Sequence, residues 1–214
     1  MTDFPELLID GPENAPVTIV LAHGAGAPMD SAFMVAFATG LTARGLRCVR
    51  FEFPYMAARR VDGKKRPPNR APVLLETWRA VIEHLGSENL VIGGKSMGGR
   101  MASMIARERE DQGQPVKGLV CLGYPFHPPG KPEKAAARLE HLLDIRTPTL
   151  ILQGTRDTFG GRDQVPGLPL SEAVRVTWLE DGDHGFKPRK KSGRTEAQNW
   201  NEALDAMDAF ARTL

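Results

Sequence analysis

A chain of 214 residues matches about one domain, and residues 1–214 are expected to form a single unit with a core that needs no disulfide or metal staples. Hydrophobic residues at 41% and charged residues at 25% exclude a disordered or fibrous protein. A formal net charge of +2 and an aromatic share of 7% give no footing for a nucleic-acid surface or a base-stacking platform.

In chain order, the first apolar run is Val17–Ala22, β-rich and ending in His23-Gly24-Ala25-Gly26. A helical stretch over Ser31–Arg44 follows, then a strand over Leu46–Phe53 that Pro54 stops. Ala71–Leu85 carries Leu74, Leu75, Trp78, Val81, Ile82 and Leu85 at helical spacing and ends at Gly86. Asn89–Gly93 is a strand and Met97–Glu110 the helix after it. Val116–Leu122 is a strand, Lys134–Leu143 a helix, Thr149–Gln153 and Val174–Leu179 further strands, and Thr195–Ala211 a terminal helix. Strands alternating with helices predict an α/β fold: a mostly parallel, twisted sheet with helices on both faces. Ligands on such sheets bind outside the carboxyl ends of the strands.

Cys48 and Cys121 lie in apolar, strand-like runs and form no Cys-x-x-Cys pair, so both read as buried, reduced thiols, with no metal site. Residues 1–6 show no basic segment followed by an apolar one, and no apolar run near them could span a bilayer. The expectation is a cytoplasmic protein without a membrane partner.

Gly94-Lys95-Ser96-Met97-Gly98 matches Gly-x-Ser-x-Gly between a strand and a helix, the setting of a nucleophile elbow. Gly94-Lys95-Ser96 also imitates the end of a phosphate loop, but that motif would need a glycine at Asn89. A serine hydroxyl needs a base. Of the five histidines, His84 and His141 lie on predicted helices and read as surface residues, and His23 reads as structural. His184, in a turn after the last strand, is the expected base, and His127 is the rival. Asp157, just after the Thr149–Gln153 strand, is the expected acid; Asp181 and Asp183 compete, though so close to His184 they suit the turn itself. The oxyanion hole would use the Met97 N–H and an N–H of the His23–Gly26 loop, with Ala25 the candidate.

The order Ser96, Asp157, His184 along the chain, with His23-Gly24-Ala25-Gly26, Gly154-Thr155-Arg156-Asp157 and Asp183-His184-Gly185-Phe186, resembles the α/β-hydrolase superfamily. Phe53-Pro54-Tyr55-Met56, Arg59-Arg60 and Arg66-Pro67-Pro68 look like its small lidless KANL/TEX-like branch, near the dienelactone-hydrolase-like enzymes. The resemblance runs from about Val17 to the end and implies the α/β-hydrolase fold with Ser96, Asp157 and His184 as the triad. It departs from dienelactone hydrolases at the nucleophile, which is cysteine there and Ser96 here.

Only Gly123–Pro148 separates two of the strands, which leaves no room for a large lid domain. The site is expected to be open and partly covered by a Tyr55–Arg70 loop. Tyr55, Arg59, Arg60 and His127 are tentative substrate-binding residues. Residues 59–70 hold six basic side chains against Asp62, and residues 187–194 hold five basic ones. They are either solvated loops or an electropositive rim that draws anionic substrates. The expected function is a serine hydrolase acting on a small ester or thioester, less readily an amide, without metal or organic cofactor and without a nucleic-acid partner. The alternative is a non-catalytic binding or scaffold domain that retains the fold.

Overall fold

The computed structural model describes residues 4–214. Seven strands among these residues form one sheet in the order β1-β3-β2-β4-β5-β6-β7. Their ranges are β1 Leu7–Asp10, β2 Thr18–Ala22, β3 Arg47–Phe51, β4 Leu90–Lys95, β5 Gly118–Leu122, β6 Thr149–Gly154 and β7 Val174–Leu179. All neighbours are parallel except β1, which pairs antiparallel with β3 at the edge. Strand β1 is absent from the sequence reading. Its Leu-Leu-Ile-Asp is short and half-buried, and its pairing from Leu7 with Phe51 to Asp10 with Cys48 is long-range.

The helices are α1 Ala32–Ala43, α2 Pro54–Asp62, α3 Ala71–Leu85, α4 Met97–Asp111, α5 Ala136–Leu139 and α6 Glu196–Ala211. Two apolar layers sandwich the sheet. Ile19 and Leu21 of β2 face Phe37 and Leu41 of α1 and Met207 of α6. Val20 and Ala22 point the other way, into the layer that holds Trp78 of α3 and Ile105 of α4. This period-two alternation between two apolar faces is what a doubly covered parallel sheet requires. Cys48 and Cys121 lie in opposite layers, both buried and unpaired. Helix α6 opens on a capping box in which Thr195 and Gln198 exchange side-chain and backbone bonds.

Two local expectations fail. Pro54 does not merely stop a strand: it opens α2, because a proline at the first helical position loses no needed N–H. The expected Tyr55–Arg70 loop is therefore a helix up to Asp62, and the Asn69 side chain returns to accept the Tyr55 N–H at 2.9 Å. The expected Lys134–Leu143 helix is broken into short turns around α5. His141 in this segment is half-buried, and its Nε2 lies 2.7 Å from Ser103 Oγ on α4.

Burial, reinforced by the Arg100 charge, pulls the His141 pKa down to about 4. Between its ordinary value near 6.5 and 4, the unfolded chain therefore takes a proton that the folded one refuses, so stability falls with falling pH. The wild type is expected to lose up to about 3 kcal/mol more than His141→Gln across that window. Urea unfolding of both proteins at pH 7 and pH 4.5 checks this.

Candidate functional site

The order of strands reverses between β2 and β4: β3 lies on one side of β2, and β4 to β7 on the other. Connections leaving the two strands diverge there and open a crevice at their carboxyl ends. The segment 23–26 follows β2, and Ser96 follows β4.

Ser96 has φ 51° and ψ −115°, a sparsely populated conformation for a residue with a side chain. It persists because the surroundings allow little else. The Ser96 N–H donates to Leu122 O of β5 at 3.0 Å, and its carbonyl accepts the Arg100 N–H of α4 at 3.0 Å. A Cβ at Gly94 would lie 2.3 Å from Ala22 O of β2, and one at Gly98 would lie 2.5 Å from the same oxygen. Only glycine at both positions lets α4 press onto β2 and turn the chain this sharply. The turn puts Ser96 Oγ in the crevice, 2.8 Å from His184 Nε2.

His184 Nδ1 lies 2.7 Å from Asp157 Oδ2. A carboxylate accepts only, so Nδ1 carries the proton and Nε2 is free to accept one from Ser96. Asp157 is 2% exposed. Its Oδ1 accepts the Phe159 N–H at 2.8 Å, and Oδ2 also accepts from Gln153 Nε2 at 3.0 Å. Phe159 lies against the imidazole, with ring centroids 4.3 Å apart. Asp181 and Asp183 do other work. Asp183 Oδ1 accepts the Gly185 and Lys187 N–H groups within the turn, and Asp181 pairs with Arg156 and Arg189.

The loop after β2 is braced from two sides. His23, fully buried, donates from Nδ1 to Gly24 O at 2.6 Å and accepts the Phe53 N–H at Nε2 at 3.2 Å. Burial lowers its pKa, which keeps the ring neutral and suits both bonds. The Tyr55 hydroxyl donates to Ala25 O at 2.9 Å. A Cβ at Gly24 would lie 3.8 Å from Ser96 Cβ, so this loop runs directly beside the serine. Met97 opens α4, where N–H groups lack intrahelical acceptors. Met97 thus follows the serine at the start of α4, and Gly24, the neighbour of Ala25, lies beside it.

The structure separates the remaining residues singled out in the sequence. Tyr55 is 4% exposed and shapes the loop through its hydroxyl. Arg60 is engaged by Glu52 and Asp30 in a paired network. His127 is 3% exposed and turned inward, between Pro128 O at 2.8 Å and Gln164 Oε1 at 3.1 Å. Arg59 forms no ion pair among the described residues. A cleft of about 350 Å³ beside His184 is lined by Arg156, Thr158, Lys187 and Glu196.

Sequence reasoning missed Gln153. Fully buried on β6, it accepts the Tyr124 N–H at Oε1 and donates from Nε2 to Asp157, Tyr124 O and Gly160 O. One amide thus ties the loops after β5 and β6 to the acid. Its only sequence signal is a polar residue near the end of an otherwise apolar strand. Gln153→Leu strands several buried polar groups and is expected to cost about 1–3 kcal/mol of stability, read by urea unfolding.

A family model described as an alpha/beta hydrolase domain matches residues 15–212. Among curated proteins, the chain is 32% identical over 109 residues to the erythronolide synthase EryA3 of Saccharopolyspora erythraea, a match that takes in 50% of this chain and 3% of that protein. Among solved structures, it is similar to an alpha-beta serine hydrolase homologue from Coxiella burnetii, with a TM-score of 0.68 and 22% identity over 98% of this chain and 91% of that one. It is also similar to a serine hydrolase without a lid from Xanthomonas campestris, with a TM-score of 0.66 and 19% identity over 98% of this chain and 88% of that one. At these identities the two structures speak for the fold. The family match spans nearly the whole chain, and no large lid interrupts the sheet among the described residues: the chain belongs to the alpha/beta hydrolase family.

Proposed function

We propose that the protein is a serine hydrolase that cleaves a small ester or thioester through an acyl-enzyme. The observation that carries this reading is the continuous chain Asp157 Oδ2, His184 Nδ1, His184 Nε2, Ser96 Oγ, with links of 2.7 and 2.8 Å. Ser96 Oγ attacks the substrate carbonyl carbon while His184 Nε2 takes its proton. The carbonyl π bond becomes an oxyanion, received by the Met97 and Ala25 N–H groups. As the oxyanion collapses, the bond to the leaving oxygen or sulfur breaks and His184 returns the proton to it. Water then adds to the acyl group by the same steps, and Ser96 leaves with its proton restored. Asp157 keeps Nδ1 protonated and stabilises the imidazolium.

The absence of a large lid supports a small or extended, accessible substrate. The charge of the two basic loops is smaller than the sequence suggests. Arg60, Arg66, Arg189 and Arg194 are paired with acids. The other seven, Arg59, Lys64, Lys65, Arg70, Lys187, Lys190 and Lys191, remain without ion pairs among the described residues, and Lys187 lies in the cleft beside His184. They favour an anionic substrate modestly.

Ester and thioester panels test the reading. Ser96→Ala and His184→Gln are expected to lower turnover by about 10³-fold or more, with folding retained. Wild-type turnover in Ser96→Ala would end the assignment. At low salt, kcat/KM for a carboxylate-bearing ester is expected to exceed that of a neutral analogue by about 2- to 10-fold and to fall as salt rises. Equal rates, unaltered in Lys187→Gln, would return both loops to plain solvated surface.

A further inference from the structure

Lys95 occupies the second position of Gly-x-Ser-x-Gly and ends β4. A surface strand end would leave its ammonium in water. Here the side chain runs under the site instead, and Nζ lies 5.5 Å from the ring centroids of both Phe33 and Phe186. There it donates a hydrogen bond to the backbone carbonyl of His184. No carboxylate forms an ion pair with it among the described residues. A Cβ at Gly123 would fall 2.7 Å from Lys95 Nζ and 3.2 Å from His184 Nδ1, so ammonium and imidazole share one small space that only glycine leaves open.

The arrangement is poor packing. A methionine would fill the gap between two phenylalanine rings without desolvating a charge. Desolvation pulls the Lys95 pKa down to about 8 against the opposing attraction of Asp157 and Asp183. Such a local conflict, directly behind a reactive side chain, marks a functional demand.

We propose that Lys95 is a positioning residue: its ammonium holds the His184 carbonyl and thereby fixes the imidazole between Asp157 and Ser96. The charged groups facing it are Asp157 from the loop after β6 and Asp183 and the His184 ring from the turn after β7. The turn is anchored to α6 by Trp200 Nε1–H to Gly185 O at 3.1 Å and Asn199 Nδ2–H to Phe186 O at 2.7 Å, and to the loop after β6 by Arg156 N–H to Gly182 O at 2.9 Å, but none of these bonds reaches β4. Lys95 is the tie that joins it to the strand bearing the serine.

The chemical consequence rests on the serine-hydrolase reading, but the positioning itself does not. Proton NMR of the His184 Nδ1–H, identified by its loss in His184→Gln, reports the ring without any turnover. Lys95→Met is expected to speed exchange of that proton with water by about 10-fold or more, and Lys95→Gln, which keeps an N–H donor, by less. In the wild type the resonance is expected to shift through a step near pH 8 that Lys95→Met lacks. In ester hydrolysis kcat is expected to fall about 10- to 100-fold in Lys95→Met, with KM changed less than about 2-fold. Unchanged exchange in Lys95→Met would overturn the proposal. Absent ester turnover with the NMR contrast intact would sink the hydrolase reading and leave the role of Lys95 standing.

Discussion

The backbone of Ser96 is the constraint on which the rest of the site depends. A φ of 51° is costly for serine, of the order of 1–3 kcal/mol. The sheet and α4 hold it there together, because Gly94 of β4 and Gly98 of α4 both lie against Ala22 O of β2, where a side chain would not fit. The same approach decides what lies beside the hydroxyl. It brings the loop after β2 against the serine and puts the first turn of α4 under the crevice. The parallel register of β4 with β2 and β5 then brings the other loops into reach.

Beyond the strand ends the loops keep a few backbone bonds, Gly123 N–H to Leu152 O at 2.8 Å and His127 N–H to Phe159 O at 3.1 Å among them, and side chains meet other polar groups there. Three polar side chains beneath the site do this. His23 joins the loop after β2 to Phe53. Gln153 joins the loops after β5 and β6 to Asp157. Lys95 joins β4 to the His184 turn. The result is an imidazole held from the side by Asp157, from one face by Phe159 and through its own backbone by an ammonium. Preorganisation of this kind is what lets one weak nucleophile and one base act without rearrangement.

Much of this was legible in the chain. Glycine spacing around Ser96 reports a backbone need, and the placing of Asp157 and His184 just after strands reports which end of the sheet they share. The β2 to β7 core and the four long helices α1, α3, α4 and α6 follow from apolar periodicity. What was hidden rests on long-range contact. The edge strand β1 is defined by pairing with residues some forty positions away. Pro54 has the same appearance as a strand stop or a helix start, and only the fold chooses. Arg60 looks like a free charge until Glu52 and Asp30 are brought beside it. His141 looks like a surface residue until Ser103 meets it, and His127 like a site residue until Gln164 does. Gln153 and Lys95 are polar residues near the ends of apolar strands, and nothing local distinguishes support of a site from simple exposure.

The central claim is that Ser96 is a nucleophile made reactive by His184 and Asp157. Its most direct test is covalent labelling with a fluorophosphonate, which reacts only with an activated serine, followed by mass spectrometry of the digested protein. The account predicts one adduct, on the peptide bearing Ser96, that is absent in Ser96→Ala and strongly slowed in His184→Gln. A folded wild-type protein that takes no label at Ser96, or takes it equally in His184→Gln, would contradict it and favour a binding or scaffold domain that has kept the hydrolase fold.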